Sequence, residues 1–292
     1  MFFKRKKKKQ KTFILGVGCQ KGGTTWLFRQ LKRTPKVDMG FCKEYHIFDG
    51  LYCKDITNIK EQREKQHAQL DHNSTLTPEE LQLSQLISFY KDTNNYFNYF
   101  DHLVQSTPKT EIVGDITPSY SGLPKEAFVH IKEQLQSRGF KIKVVFLMRD
   151  PIERIWSQVR MGRRRRLKEN SNCIFNISEE ESVSKLYLSS NCQLRTRYEN
   201  IIDNLESVFA PEEIFYGIFE EFFTEESMLS LQNFFEFSLK NPKIEKKVNT
   251  TKRSETLSLE TEKNIAQFYK KTYKVCDEKF NINKLWKGFA HI

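Results

Sequence analysis

The sequence has no run approaching eighteen consecutive apolar residues, which excludes a helix spanning a membrane. It also lacks the apolar segment of an export signal, since Met1-Phe2-Phe3 runs directly into Lys4-Arg5-Lys6-Lys7-Lys8-Lys9. The expectation is an unexported, cytoplasmic protein. Its six cysteines include no C-x-x-C pair and no Cys/His spacing of a zinc site, so reduced thiols and no metal are expected. No internal repeat and no Gly/Ser/Pro-rich linker divides the chain. With 38% apolar and 13% aromatic residues among 292, the composition supports a substantial core and excludes disorder throughout.

The net charge of +11 first suggests a nucleic-acid partner. Its location weakens that reading. Residues 4–9 with Lys11 carry seven positive charges and residues 163–166 carry four, which accounts for the whole excess. The first patch reads as a disordered, solvated tail over 1–11 with no assigned activity, and no specific nucleic acid is expected as partner. The second reads as a solvated helix face or as a patch that steers an anionic ligand.

Short apolar runs at 12–17, 111–114, 143–148 and 214–218 read as buried strands, each ending in glycine, proline or polar residues. Helical patterns lie between them, including 126–138 and 198–209. Strands alternating with helices predict an α/β fold with a parallel sheet flanked by helices. Between 54 and 109 the pattern is polar and helical, and Thr77-Pro78-Glu79-Glu80 is a capping box. The reading is one domain over 12–292 with a helical insertion at about 54–109.

Gly16-Val17-Gly18-Cys19-Gln20-Lys21-Gly22-Gly23-Thr24-Thr25 places a glycine-rich turn between a strand and a helix. Successive N–H groups and a helix N-terminus there form a cradle for an anion. The loop that binds ATP or GTP has the form G-x-x-x-x-G-K-[ST]. Counted from Gly18, Gly23 falls in register, but Thr24 takes the lysine slot and Lys21 stands three residues earlier. That shift aims the ammonium at a bridging oxygen near the first phosphate and loses the usual geometry for a triphosphate with magnesium.

A second strand ends in Arg149-Asp150-Pro151 and leads into a helix containing Ser157. Arg149 at a strand's carboxyl end can fork onto a phosphate, and Ser157, two turns along, can donate its hydroxyl to the same group.

Gln20-Lys21-Gly22-Gly23-Thr24-Thr25-Trp26-Leu27 resembles the 5′-phosphosulfate loop of sulfotransferases that use 3′-phosphoadenylyl sulfate (PAPS). Arg149 through Ser157 is similar to their 3′-phosphate motif. Two further segments resemble the carbohydrate-type branch, which includes heparan-sulfate and bacterial enzymes. Lys43-Glu44-Tyr45-His46-Ile47-Phe48-Asp49 is similar to its K-E-x-H-F-F segment. Gly114-Asp115-Ile116-Thr117-Pro118-Ser119-Tyr120 is similar to its G-E-x-[ST]-P-x-Y segment, with Asp115 and Ile116 departing from the pattern. The family fold is P-loop-NTPase-like, and the resemblance runs from about residue 12 to 286.

The resemblance implies direct transfer of a sulfuryl group from PAPS to a hydroxyl or amine of an acceptor, leaving adenosine 3′,5′-bisphosphate, with no metal; its carbohydrate-type segments favour a saccharide as acceptor. It implies that Lys21 serves the leaving phosphate oxygen and that Gln20, Gly22, Gly23, Thr24 and Thr25 hold the 5′-phosphosulfate. Arg149 and Ser157 would hold the 3′-phosphate, with Lys252 and Arg253 as further donor contacts. Glu44 is the implied base, with His46 as rival or partner. Three other readings compete: a P-loop nucleotide kinase with Asp115 on magnesium, a nucleic-acid-binding protein using both basic patches, and a degenerate family member that binds nucleotide without catalysis.

Overall fold

The computed structural model describes residues 11–54, 57–71, 74–170, 175–242, 244 and 256–292. In chain order the strands are β1 (Lys11–Gly18), β2 (Val37–Asp38), β3 (Ile112–Ile116), β4 (Phe140–Met148) and β5 (Ile214–Ile218). The helices are α1 (Thr24–Arg33), α2 (Ile47–Tyr52), α3 (Ile59–His67), α4 (Pro78–Lys91), α5 (Thr93–Ser106), α6 (Lys125–Ser137), α7 (Pro151–Glu169), α8 (Glu179–Leu186), α9 (Ser190–Leu194), α10 (Tyr198–Glu206), α11 (Glu225–Phe235), α12 (Leu259–Phe268) and α13 (Lys270–Phe280). Strand β2 is too short to have left a pattern in the sequence. Lys11, read from sequence as the end of the tail, opens β1, and its ammonium pairs with Asp101.

The five strands form one parallel sheet in the order β2-β3-β1-β4-β5. Alternation within the strands sorts their side chains onto two faces. Phe13, Leu15 and Val17 of β1 join Val144, Phe146 and Met148 of β4 on one side. Ile14 joins Val145 and Leu147 on the other, under Trp26 and Leu27 of α1 and Leu231 of α11. Both faces are covered, which is why β1 and β4 read as continuous apolar runs.

Within the stretch 54–109, α5 packs on the sheet while α3 buries no residue. Helix α5 buries Tyr96, Phe97 and Phe100 in the cluster that contains Phe13, and Phe13 and Phe100 meet edge-to-face at 5.0 Å. At the start of α4, Thr77 accepts from the Glu80 N–H while Glu80 accepts from the Thr77 N–H, completing the expected capping box.

Strand order also locates the site. The connection leaving β1 runs toward β2 at one edge, while that leaving β4 runs toward β5 at the other. Neighbouring strands whose connections diverge leave a crevice beyond their carboxyl ends, where ligands of open α/β sheets bind. The loop after Gly18 and the turn at Arg149 border it.

Candidate functional site

The loop after β1 is folded tightly onto the end of β4. Cys19 N–H donates to Leu147 O and Gly22 N–H donates to Cys19 O at 3.0 Å. A Cβ on Gly22 would lie 2.8 Å from the Leu147 carbonyl oxygen, so only glycine fits. Gly23, at φ 101°, is the N-cap of α1 and supplies the left-handed turn into the helix. Among the described residues the N–H groups of Gly23, Thr24 and Thr25 have no hydrogen-bond acceptor. They form the open end of a helix, which favours an anion. Gly22 N–H, already engaged by Cys19, does not belong to that set.

Lys21 also takes a positive φ, of 75°, and its carbonyl receives the Arg149 Nη1 donor at 3.5 Å. The two sequence motifs therefore meet. Burial, followed by the nearby charges of Arg164, Arg149, Arg160 and Lys43, lowers the Lys21 ammonium to about 8. Such crowding of cations is unfavourable unless an anion joins them. Arg149 also donates to Glu153 at 3.2 Å, and its guanidinium lies 4.4 Å from the Phe219 ring centroid. Its Nε is buried without a hydrogen-bond partner. Gln20, half-buried beside Lys21, has an unpartnered buried amide oxygen.

Ser157 is half-buried on α7. Positions 153, 157, 160 and 164 fall on one helical stripe, so Ser157 lies between Glu153 and the arginines whose charges reach Lys21. Sequence reading treated residues 163–166 as one patch, and the structure divides it. The charge of Arg164 reaches Lys21 of the glycine-rich loop, while Arg163 lies 4.8 Å from the Phe175 ring centroid. The helical spacing from Glu153 was the signal that would have singled out Arg160 and Arg164.

Asp150 fixes the start of α7. Its carboxylate accepts from Ile152 N–H at 2.8 Å, Tyr273 Oη at 2.9 Å and Gly288 N–H at 2.9 Å. Tyr198 Oη donates to the Arg149 carbonyl at 2.8 Å. Residues distant in sequence thus hold the Arg149 peptide in place.

Lys43, whose charge also reaches Lys21, pairs with Glu44. The second Glu44 oxygen lies 3.3 Å from His46 Nε2, and His46 Nδ1 lies 2.7 Å from Asp49 Oδ2. Burial would raise the Glu44 carboxyl, but its hydrogen bond to His46 and the charge of Lys43 outweigh this and hold it at about 2. Burial would likewise lower the His46 imidazole, but Asp49 and Glu44 raise it to about 9. Near neutral pH the unit is therefore a carboxylate beside an imidazolium. Asp49, three residues after His46, was missed in the sequence although its i,i+3 spacing was visible.

Asp115 is fully buried and accepts from Thr117, Tyr120 and Tyr96 at 2.6, 2.8 and 3.0 Å. A carboxylate enclosed by three hydroxyls is not open to magnesium, which removes the residue the kinase reading relied on. Among the described residues no group of three or more His, Cys, Asp or Glu could hold a metal ion, and no helix is long and apolar enough to cross a membrane. Lys252 and Arg253, like residues 1–10 of the basic tail, lie outside the described residues.

No family model matches the sequence, and no curated protein matches it. Solved structures do. A sulfotransferase from Alicyclobacillus acidocaldarius is similar with a TM-score of 0.58 at 15% identity, covering 93% of this chain and 96% of that one. More distant are a sulfotransferase from Mycobacterium avium (TM-score 0.46, 13% identity, 91% of this chain, 77% of that one) and the sulfotransferase domain of the Synechococcus olefin synthase (0.45, 14%, 92% and 98%). The first of these likenesses establishes the fold: the chain is folded like a sulfotransferase.

Proposed function

We propose that this protein is a PAPS-dependent sulfotransferase with a P-loop-like nucleotide site. The observation that carries the reading is the convergence of Lys21 and Arg149 at the crevice between β1 and β4, with further cations from Lys43, Arg160 and Arg164. A donor with phosphate at both its 3′ and 5′ positions matches two anion sites joined in this way. The open N–H groups of Gly23, Thr24 and Thr25, with Gln20 and the two threonine hydroxyls nearby, would hold the 5′-phosphosulfate, while Gly22, whose own N–H is engaged by Cys19, serves by lacking a side chain. Arg149 and Ser157 would hold the 3′-phosphate.

In the transfer, the acceptor oxygen forms a bond to sulfur as the bond from sulfur to the bridging phosphate oxygen breaks. The electron pair of that bond goes to the phosphate, where the Lys21 ammonium stabilises the developing charge. The acceptor proton passes to the Glu44 carboxylate, with the His46 imidazolium beside it. A carboxylate held near 2 is a weak base. It suffices when the transition state is loose, because the acceptor then becomes acidic only as its bond to sulfur forms. The acceptor is a hydroxyl or amine compound, and the resemblance to the carbohydrate-type branch favours a saccharide. Five described cysteines, Cys19, Cys42, Cys53, Cys192 and Cys276, are free, which fits the reducing cytoplasm.

Thermal denaturation tests the donor. Adenosine 3′,5′-bisphosphate at 100 times its Kd should raise stability by about 2.7 kcal/mol, whereas ATP with magnesium should do far less. Stronger stabilisation by ATP with magnesium would overturn the reading.

A further inference from the structure

His46 has φ 55° and ψ 36°, a left-handed conformation uncommon for a residue with a side chain. Such a residue persists where its surroundings over-determine it. Its carbonyl accepts from Tyr90 Oη at 2.8 Å, and Arg63 donates to the same tyrosine oxygen at 2.9 Å. On the amide side, His46 N–H donates to Thr117 Oγ1 at 3.5 Å and Ile47 N–H donates to Tyr120 Oη at 3.2 Å.

Those two hydroxyls share one further partner. Thr117 donates to Asp115 Oδ1 at 2.6 Å, and Tyr120 donates to Asp115 Oδ2 at 2.8 Å. A hydroxyl has one proton. With that proton committed to Asp115, each oxygen can only accept on its other side, which is where the two amides arrive. An ionised carboxylate is acceptor-only and enforces this direction. An asparagine of nearly the same volume would present an NH₂ group, turn one hydroxyl proton toward the incoming amide and set two donors against each other.

We infer that Asp115 is a positioning residue for His46: by fixing the proton direction of Thr117 and Tyr120 it anchors the His46 and Ile47 amides and so holds the imidazole between Glu44 and Asp49. The catalytic importance of this device rests on the function proposed above; its geometry does not.

The test follows the His46 ring by NMR titration in the full chain carrying Asp115→Asn, Tyr120→Phe, Thr117→Val or Thr117→Ser. Calorimetry with adenosine 3′,5′-bisphosphate accompanies each variant. The first three variants should lower the midpoint of His46, whose ring is faced by Glu44 and Asp49 and whose charge also interacts with Asp115, while changing nucleotide affinity less than about twofold; because Asp115→Asn removes that charge as well, the charge-neutral Tyr120→Phe and Thr117→Val carry the test. Thr117→Ser, which keeps the hydroxyl, should restore the wild-type midpoint. If Asp115→Asn does not fold, Tyr120→Phe and the threonine pair decide. An unchanged midpoint in the folded Tyr120→Phe and Thr117→Val proteins overturns the inference. Loss of nucleotide binding by the wild-type chain would instead overturn the function and leave this result standing.

Discussion

One imidazole joins two carboxylates: His46 stands 3.3 Å from Glu44 through Nε2 and 2.7 Å from Asp49 through Nδ1. The arrangement favours the protonated ring and makes the pair sensitive to pH on the alkaline side.

Folding raises the His46 pKa from 6.5 to about 9, so the native state holds this proton more tightly than the unfolded chain. The associated stabilisation, on the order of 3 kcal/mol at most, is complete below pH 6.5 and is lost as pH rises through 9. Denaturant melts of the wild type and His46→Gln should differ most near pH 6 and converge toward pH 10. A constant difference across that range would contradict the network.

Lys21 behaves in the opposite sense. Its ammonium is lowered from 10.5 to about 8 in the free protein, so between those values the unfolded chain binds more protons and this group makes stability rise with pH. An anion in the crevice favours the charged form. Nucleotide binding should therefore take up protons near pH 8.5, read as a dependence of calorimetric heat on buffer ionisation enthalpy. Lys21→Ala should abolish that uptake and lower transfer about 10²- to 10³-fold.

Arg149 and Ser157 should distinguish the two phosphates. Arg149→Ala should weaken adenosine 3′,5′-bisphosphate by about 10- to 100-fold, as expected for lost charged hydrogen bonds, and leave AMP nearly unaffected. Ser157→Ala should do the same by about tenfold or less. Equal losses for both nucleotides, measured by competition titration, would place these residues elsewhere.

Gly22→Ala sets a Cβ against the Leu147 carbonyl, a backbone atom that cannot swing aside. The variant should lose about 1–3 kcal/mol of stability together with nucleotide binding. Thermal melts with and without adenosine 3′,5′-bisphosphate measure both losses.

Much of this architecture was legible because local pattern and global fold agree. Runs such as 144–148 are apolar on both sides because both sheet faces are covered, so β4 and β1 beside it stood out. The tight glycine-rich turn between β1 and α1 was legible for a similar reason, since its glycines answer to a backbone contact and a positive φ. Strand β2 escaped because two half-buried residues carry no periodicity. The hydroxyl cage of Asp115 escaped because Tyr96 reaches it from α5, a contact without local signature. In the same way, Tyr273 and Gly288 meet Asp150 only after the chain has closed.

That closure ties residues 273–288 to the turn at Arg149. The Gly288 amide and the Tyr273 hydroxyl hold the residue next to Arg149, while the Trp286 indole donates at 3.0 Å to Glu220, whose other oxygen receives the Asp150 N–H at 3.3 Å. Removing residues 286–292, or pulling on them with a bulky fusion, would loosen this latch and, on the proposed function, be felt as poorer grip on the 3′-phosphate, well away from the edit itself.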